Sequence, residues 1–104
     1  MTMKIRIIKT TDKDINDLEV VELSENKWEA QLKIREIIGG YVEFCTCHIN
    51  GEPYYVFCDD NGKLKGKPVN WLATMIYDYR ETDTINGDVV LLDADTLLDY
   101  NNLF

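Results

Sequence analysis

The chain has 104 residues, 45% of them hydrophobic, which is one domain's worth of sequence with an ordinary globular composition. Eleven basic and 19 acidic side chains give a net charge of −8, which disfavours direct binding to nucleic acid or to an anionic membrane surface. No apolar run approaches the roughly 20 residues that a membrane-spanning helix needs, and the N-terminus does not resemble a signal peptide. We therefore expect a cytoplasmic protein.

The first forty residues predict two strands and a helix. Residues 3–9 alternate apolar and basic side chains, and residues 18–23 form a short β-rich run, so we expect two antiparallel strands. We expect the helix to begin near Ser24 or Asn26; Asn26 with Glu29 three positions later has the spacing of a capping box, and Gly39-Gly40 ends the helix. The apolar stripe predicted for this helix consists of Trp28, Leu32, Ile34, Ile37 and Ile38.

Two further strands are predicted at residues 41–49 and 54–58, joined by a hairpin. Asn50-Gly51 is the strongest two-residue hairpin signal in the chain, because a type I′ turn needs positive φ at both central positions. Pro53 cannot donate a backbone hydrogen bond, which indicates either an edge position or a wider turn here.

A turn and a second helix follow. The sequence Asp59-Asp60-Asn61-Gly62 is typical of a turn, and residues 63–65 are predicted as a short strand. Asn70 is the predicted N-cap of the second helix. The side chains predicted to face the sheet follow helical spacing, and they are Leu72, Met75, Ile76 and Tyr79.

The C-terminal part predicts a buried strand and a short final helix. Residues 85–92 end in a continuous apolar run, which suits a central strand covered on both faces. Asp93 or Asp95 can cap a last helix that contains Leu97, Leu98 and Leu103. The predicted fold is a single α+β domain over residues 1–104. It has a mainly antiparallel sheet of five to six strands, with two principal helices packed on it.

Three lysines form the one local basic strip, at Lys63, Lys65 and Lys67, shortly before Asn70. One interpretation is an anion-binding site in which the backbone amides at the start of the second helix assist the lysines. The other is an exposed edge strand whose charges prevent aggregation. A ligand-binding site would consist of all four residues.

Soft metal ligands are limited to Cys45, Cys47, Cys58 and His48. On one strand Cys45 and Cys47 share a face while His48 points to the other, so these residues cannot converge on one ion. A disulfide from Cys58 across the hairpin is sterically conceivable, but a reducing compartment argues against it. We expect buried reduced thiols, no metal and no cofactor. Since nothing places His48 beside a nucleophile or an orienting acid, we expect no enzyme.

A protein partner is suggested by Trp71 and by the acidic C-terminal third. Trp71 lies outside the predicted apolar face of its helix, so it is either at the rim of the core or a surface anchor. Residues 78–104 carry seven acids against Arg80 alone. This acidic third is either a solvated face or a surface that attracts a basic partner. The predicted partner-binding residues are Trp71, Asp93, Asp95 and Asp99.

Three segments resemble a known family. They read I-G-G-Y-V-E at 38–43, D-D-N-G-K-L-K-G-K-P-V-N at 59–70 (followed by A-T), and I-N-G-D-V-V-L at 85–91. This succession is similar to a family of small domains of unknown function that is common in bacteriophages and mobile elements. The family pattern is roughly V-G-G-Y-I-E, N-E-E-G-K-L-x-G-L-P-x-N-x-x-A-T and I-x-G-D-V-x-L. The resemblance covers about residues 18–93, and the sequence departs from it at Trp71, where a basic residue is usual.

The resemblance implies an origin in a phage or mobile element and lends no enzyme activity. Our first hypothesis is a non-enzymatic antagonist of host defence, of the anti-CRISPR or anti-restriction type, which binds a host protein through an acidic face. The alternative is a sponge or sensor that holds a small, nucleotide-like anion at the lysine strip. Either would act as a monomer or homodimer.

Overall fold

The structure is a computed structural model that describes residues 3–93. Its five strands are β1 (Met3–Ile8), β2 (Glu19–Leu23), β3 (Val42–Ile49), β4 (Glu52–Asp59) and β5 (Val89–Asp93). Its two helices are α1 (Lys27–Ile38) and α2 (Trp71–Ile76). The strands form one antiparallel sheet in the order β2-β1-β5-β4-β3, which confirms the predicted α+β class.

The central strand is β5, as its apolar run predicts. Val90 lies opposite Ile7 on one side and Phe57 on the other, so β1 and β4 flank β5. Val89, Val90, Leu91 and Leu92 are all buried. A run with no polar alternation is therefore explained by a strand that is covered on both faces.

Local signals place α1 correctly. The Asn26 side chain accepts a hydrogen bond from the Glu29 N–H at 3.1 Å, and Gly39 ends the helix with φ of 77°. The predicted stripe is partly wrong, because Trp28 is 67% exposed and Leu32 is 49% exposed. The buried face instead consists of Ala30, Ile34 and Ile38. Trp28 and Leu32 stand two positions before Ala30 and Ile34, nearly opposite on a helix of about 3.6 residues per turn.

The two helices cover opposite faces of the sheet. The α1 side contains the buried residues Ile5, Leu23, Ala30, Ile34, Ile38, Phe57, Val90 and Leu92. The α2 side contains Ile8, Cys45, Cys47, Val56, Cys58, Leu72, Ala73, Ile85, Val89 and Leu91. Residues 3–93 therefore form three layers, with helix, sheet and helix in succession.

The β3–β4 hairpin has the predicted turn, with φ of 51° at Asn50 and 80° at Gly51. Pro53 lies in β4 opposite His48, and β4 is an interior strand beside the edge strand β3. Within residues 3–93, β5 pairs with β4 from Tyr54 onward, so no described strand residue lies opposite Pro53 on the β5 side.

Residues 63–65 do not form the predicted strand. The Lys65 N–H donates to the Asn61 carbonyl at 2.9 Å, and the Gly66 N–H donates to the Lys63 carbonyl at 3.0 Å. Gly66 has φ of 71°, in the left-handed region that favours glycine. The lysine strip is therefore wound into consecutive turns, and its side chains do not alternate as in a strand.

The second helix begins after Asn70 as predicted but ends at Ile76. The predicted sheet-facing stripe is wrong at two positions, since Met75 is 67% exposed and Tyr79, beyond the helix, is 63% exposed. After the helix, Tyr77 has extended backbone and forms an antiparallel bridge with Cys47 in β3. The predicted final helix, with Asp95, lies outside the described residues. No helix within residues 3–93 has the length and apolar character to cross a membrane.

Candidate functional site

Asp59 stands at the centre of an internal ion-pair cluster. Its side chain is fully buried, and its Oδ2 lies 2.8 Å from Lys65 Nζ and 2.7 Å from Lys67 Nζ. Burial alone would raise the pKa of Asp59, but hydrogen bonds from both lysines and from the Asn61 N–H outweigh it and lower the pKa to about 2. We call Asp59, Lys65 and Lys67 the Asp59 cluster.

The same two lysines hold the C-terminus of α1. Lys67 Nζ donates to the Ile38 carbonyl at 2.8 Å, and Lys65 Nζ donates to the Gly39 carbonyl at 3.2 Å. These carbonyls lie at the negative end of the helix dipole, where basic groups are stabilising. At Gly40 an added Cβ would lie 2.5 Å from Lys65 Nζ, so a side chain there would displace the lysine ammonium.

The other two predicted ligand-binding residues lie elsewhere. Lys63 pairs with Asp83, and both side chains are about half exposed. Asn70 is fully buried, donating from Nδ2 to the Ile8 and Gly87 carbonyls at 2.9 and 3.0 Å and accepting from the Ala73 N–H at 3.0 Å. The structure thus brings Lys65 and Lys67 together around a carboxylate. The anion site predicted on these four residues stays a prediction.

A cavity of about 310 Å³ opens between the β3–β4 hairpin and the segment before β5. Among its lining residues are Glu43, Cys45, Cys58, Lys63, Tyr77 and Asp83. All three cysteines of the chain are free and buried, and Cys45 and Cys58 bring their sulfurs to 3.5 Å. The cavity therefore combines two thiols with carboxylates and one lysine.

The two cavity thiols are not equivalent. The hydrogen bond with Cys58 lowers the pKa of Cys45, with a smaller contribution from the Tyr77 hydroxyl. The same Cys45–Cys58 bond, together with burial, raises the pKa of Cys58. Burial chiefly raises the pKa of Cys47 to about 12 and that of Tyr77 to about 12. The shared hydrogen bond therefore acts in opposite directions on the pKa values of the two cavity thiols.

His48 has a partner that sequence analysis missed. Its Nδ1 lies 2.6 Å from Asp78 Oδ1, and this hydrogen bond lowers the pKa of Asp78. The Asp78 N–H also donates to the Thr46 carbonyl at 3.2 Å, which attaches the segment after α2 to the edge of β3. Since thirty residues separate His48 from Asp78, no local pattern could have indicated the pair.

Large apolar side chains remain at the surface around α2. Trp71 is 66% exposed, Met75 one helical turn later is 67% exposed, and Tyr79 is 63% exposed. Of the two positions considered for Trp71, the structure shows the exposed one. We call Trp71, Met75 and Tyr79 the α2 surface. Of the other predicted partner-binding residues, Asp93 ends β5, whereas Asp95 and Asp99 lie outside the described residues.

Comparison with known proteins identifies a family. The family model described as "Domain of unknown function (DUF3846)" matches residues 3–100. The chain belongs to this family. The DUF3846 match spans both helices and all five strands. It confirms the predicted membership of a family of unknown function. No curated protein and no solved structure gives a significant match.

Proposed function

We propose that the protein is a non-enzymatic binding protein that captures a host protein with a basic surface through the α2 surface. The observation that carries the proposal is the exposure of Trp71. A tryptophan that is two-thirds exposed contributes little to folding, whereas tryptophan is enriched among the residues that dominate binding energy at interfaces. Met75, one helical turn after Trp71, adds a second exposed apolar side chain on the same side of α2.

The short helix that carries Trp71 and Met75 is fixed by buried hydrogen bonds. The Asn70 side chain ties its N-terminus to β1 through the Ile8 carbonyl, and Thr74 Oγ1 accepts from the Ile85 N–H at 3.0 Å. Six residues alone would not form a stable helix in water. Because tertiary contacts hold α2 in place, Trp71 is oriented before a partner arrives, which reduces the entropic cost of binding.

Charge favours a basic partner. Between residues 71 and 88 the sequence has four acids, Asp78, Glu81, Asp83 and Asp88, against Arg80 alone, and the whole chain carries −8. Such an excess repels acidic proteins and accelerates association with basic ones, and the effect weakens as salt concentration rises. We expect the predicted partner-binding acids Asp93, Asp95 and Asp99 to strengthen the attraction of a basic partner as well.

The resemblance to small phage and mobile-element domains favours a host-defence enzyme as the partner, of the CRISPR or restriction type. Such enzymes handle nucleic acid and carry basic surfaces that an acidic protein can occupy. On this proposal the protein acts in the bacterial cytoplasm, as a monomer or homodimer, and blocks its target by occupancy without chemical turnover.

The test compares two matched tryptophans. A partner captured from a bacterial lysate is identified and purified, and its Kd is measured for the wild type, Trp71→Ala and Trp28→Ala. We expect Trp71→Ala to cost about 2 kcal/mol, roughly 30-fold in Kd. Trp28, on α1, is equally exposed at 67% and should change Kd less than about twofold. Equal effects of the two substitutions would contradict the proposal.

One observation favours the alternative of a small anionic ligand. The cavity of about 310 Å³ has the size of a small-molecule site, and its lining contains Lys63 together with carboxylates that include Glu43 and Asp83. A nucleotide that binds there should raise the melting temperature, and Lys63→Ala should remove that rise. Lys65→Ala is the control, because Lys65 pairs with Asp59 and does not line the cavity. This variant should keep the rise in melting temperature. A nucleotide screen without any rise would exclude this alternative.

A further inference from the structure

We propose that Glu43, Cys45 and Cys58 form a binding site for one thiophilic divalent ion, with Zn²⁺ the best match. The carboxylate and the two sulfurs all lie within 4.8 Å of one another. This site is independent of the protein-binding function proposed above, because it lies in the cavity and involves none of the three residues of the α2 surface.

The sulfur separation suits a shared ion. In a tetrahedral site with Zn–S distances of about 2.3 Å, two thiolate sulfurs stand roughly 3.8 Å apart. Cys45 Sγ and Cys58 Sγ are already 3.5 Å apart, so an ion between them requires only a small outward movement of each side chain. The carboxylate of Glu43 supplies a third donor of a kind that zinc accepts at about 2.0–2.2 Å.

Strand register brings the three donors together. Glu43 lies directly opposite Cys58 in the β3–β4 ladder, and Cys45 stands two residues further along β3. Residues directly opposite each other, or two apart on one strand, share a face of the sheet. Both cysteines are buried while Glu43 is exposed, so the donors run from the interior to the mouth of the cavity.

The same register disfavours a disulfide between the two cysteines. Cys45 pairs with Val56, so Cys58 is its diagonal neighbour, two residues along β4. Diagonal neighbours in an antiparallel pair have Cα atoms about 7–8 Å apart, whereas a disulfide needs roughly 4.4–6.8 Å. An ion can bridge the diagonal because two metal–sulfur bonds span more distance than one sulfur–sulfur bond.

The donor set also selects the ion. Two thiols and one carboxylate match zinc and related thiophilic metals, whereas Mg²⁺ and Ca²⁺ prefer sites built from oxygen alone. A fourth position would face the cavity, where water or a ligand atom completes the tetrahedron. Three protein donors with one open position is the arrangement of zinc sites that remain accessible to small molecules.

The experiment titrates the metal-free full-length chain with Zn²⁺ against a chromophoric chelator. In parallel, Cd²⁺ reports sulfur ligation through its ultraviolet charge-transfer band. We expect one ion per chain and loss of the band in Cys45→Ser and in Cys58→Ser. Glu43→Gln should weaken affinity at least as much as the roughly 10- to 100-fold that loss of an outer-shell partner costs. Cys47→Ser is the matched control, since Cys47 is buried on the same strand but outside the three donors.

The proposal is overturned if the wild type binds Zn²⁺ no more tightly than Cys45→Ser, or if Cys47→Ser loses as much affinity as Cys45→Ser. Circular dichroism establishes that each variant is folded. Should the serine variants not fold, the Co²⁺ spectrum of the wild type decides. Intense tetrahedral bands with thiolate charge transfer support the site, and weak octahedral bands overturn it.

Discussion

The two faces of the sheet are closed in different ways. On one face α1 presents three buried side chains over 12 residues, and the Asp59 cluster holds its C-terminus. On the other face α2 has only six residues, and hydrogen bonds of the buried Asn70 hold it while Trp71 remains exposed. The first face is built for stability. Each helix leaves a tryptophan exposed, Trp28 on α1 and Trp71 on α2, so what distinguishes the second face is the surface cavity beside a helix that buried hydrogen bonds hold in place.

The largest expected effect is that of Asn70→Ala. The substitution removes a helix cap and the Asn70 side-chain donor to the buried Ile8 and Gly87 carbonyls, so we expect a loss of about 3–5 kcal/mol in the free energy of unfolding. Urea denaturation measures it. Asn26→Ala is the matched control, because Asn26 is an exposed cap on α1 and should cost about 1 kcal/mol. Similar losses for both would contradict the account of α2.

The second-largest effect on stability is expected for Asp59→Asn, which removes the buried carboxylate. Asp59→Asn preserves the shape of the side chain but leaves Lys65 and Lys67 without their counter-charge, and we expect a loss of about 2–4 kcal/mol. Asp83→Asn breaks the exposed pair with Lys63 and should change stability by less than about 1 kcal/mol. Chemical denaturation at neutral pH compares the two variants, and a larger loss in Asp83→Asn would refute the central role of the Asp59 cluster.

Low pH should lower the free energy of unfolding by protonating Asp59, which holds the lysines at the end of α1. The pKa of Asp59 is about 2 in the folded chain, below its usual 3.8, so folding favours the ionised form. The resulting stability is present in full above about pH 4 and is lost as pH falls towards 2; it amounts to roughly 2 kcal/mol. The difference in unfolding free energy between wild type and Asp59→Asn should therefore shrink on acidification. A difference that does not change between pH 7 and pH 2 would contradict the ionised Asp59 carboxylate as the source of this stability.

The smallest expected effect is that of Trp71→Ala on stability. Because Trp71 is two-thirds exposed, its removal should change the free energy of unfolding by no more than about 0.5 kcal/mol. Thermal and urea denaturation measure this without any partner. A loss well above 1 kcal/mol would mean that the side chain belongs to the packing of the α2 side, and the α2 surface would lose its main residue.

Features with local causes were predictable from the sequence. Asn26 and Asn70 cap helices, Gly39 ends one, and Asn50-Gly51 turns a hairpin, because each depends on hydrogen bonds or φ values within a few residues. The central position of β5 was also predictable, since a continuous apolar run has to be covered on both faces.

Features that depend on register or on distant partners were not predictable. Lys65 and Lys67 read as a solvent-facing strip because nothing local shows that they reach Asp59 and the end of α1. The proximity of Glu43 to the two cysteines was not predicted, because its position opposite Cys58 is set by the β3–β4 register. The Asp59 cluster and the cysteine-lined cavity therefore depend on contacts between residues that are distant in the sequence.

The most direct test of the central claim is hydrogen–deuterium exchange of the protein with and without its purified partner. We predict that binding slows exchange in peptides covering residues 71–80, the segment with the α2 surface. The exchange rates of peptides that cover α1, residues 27–38, should be unchanged. Protection confined to α1, or none in residues 71–80, would contradict the assignment of the binding surface.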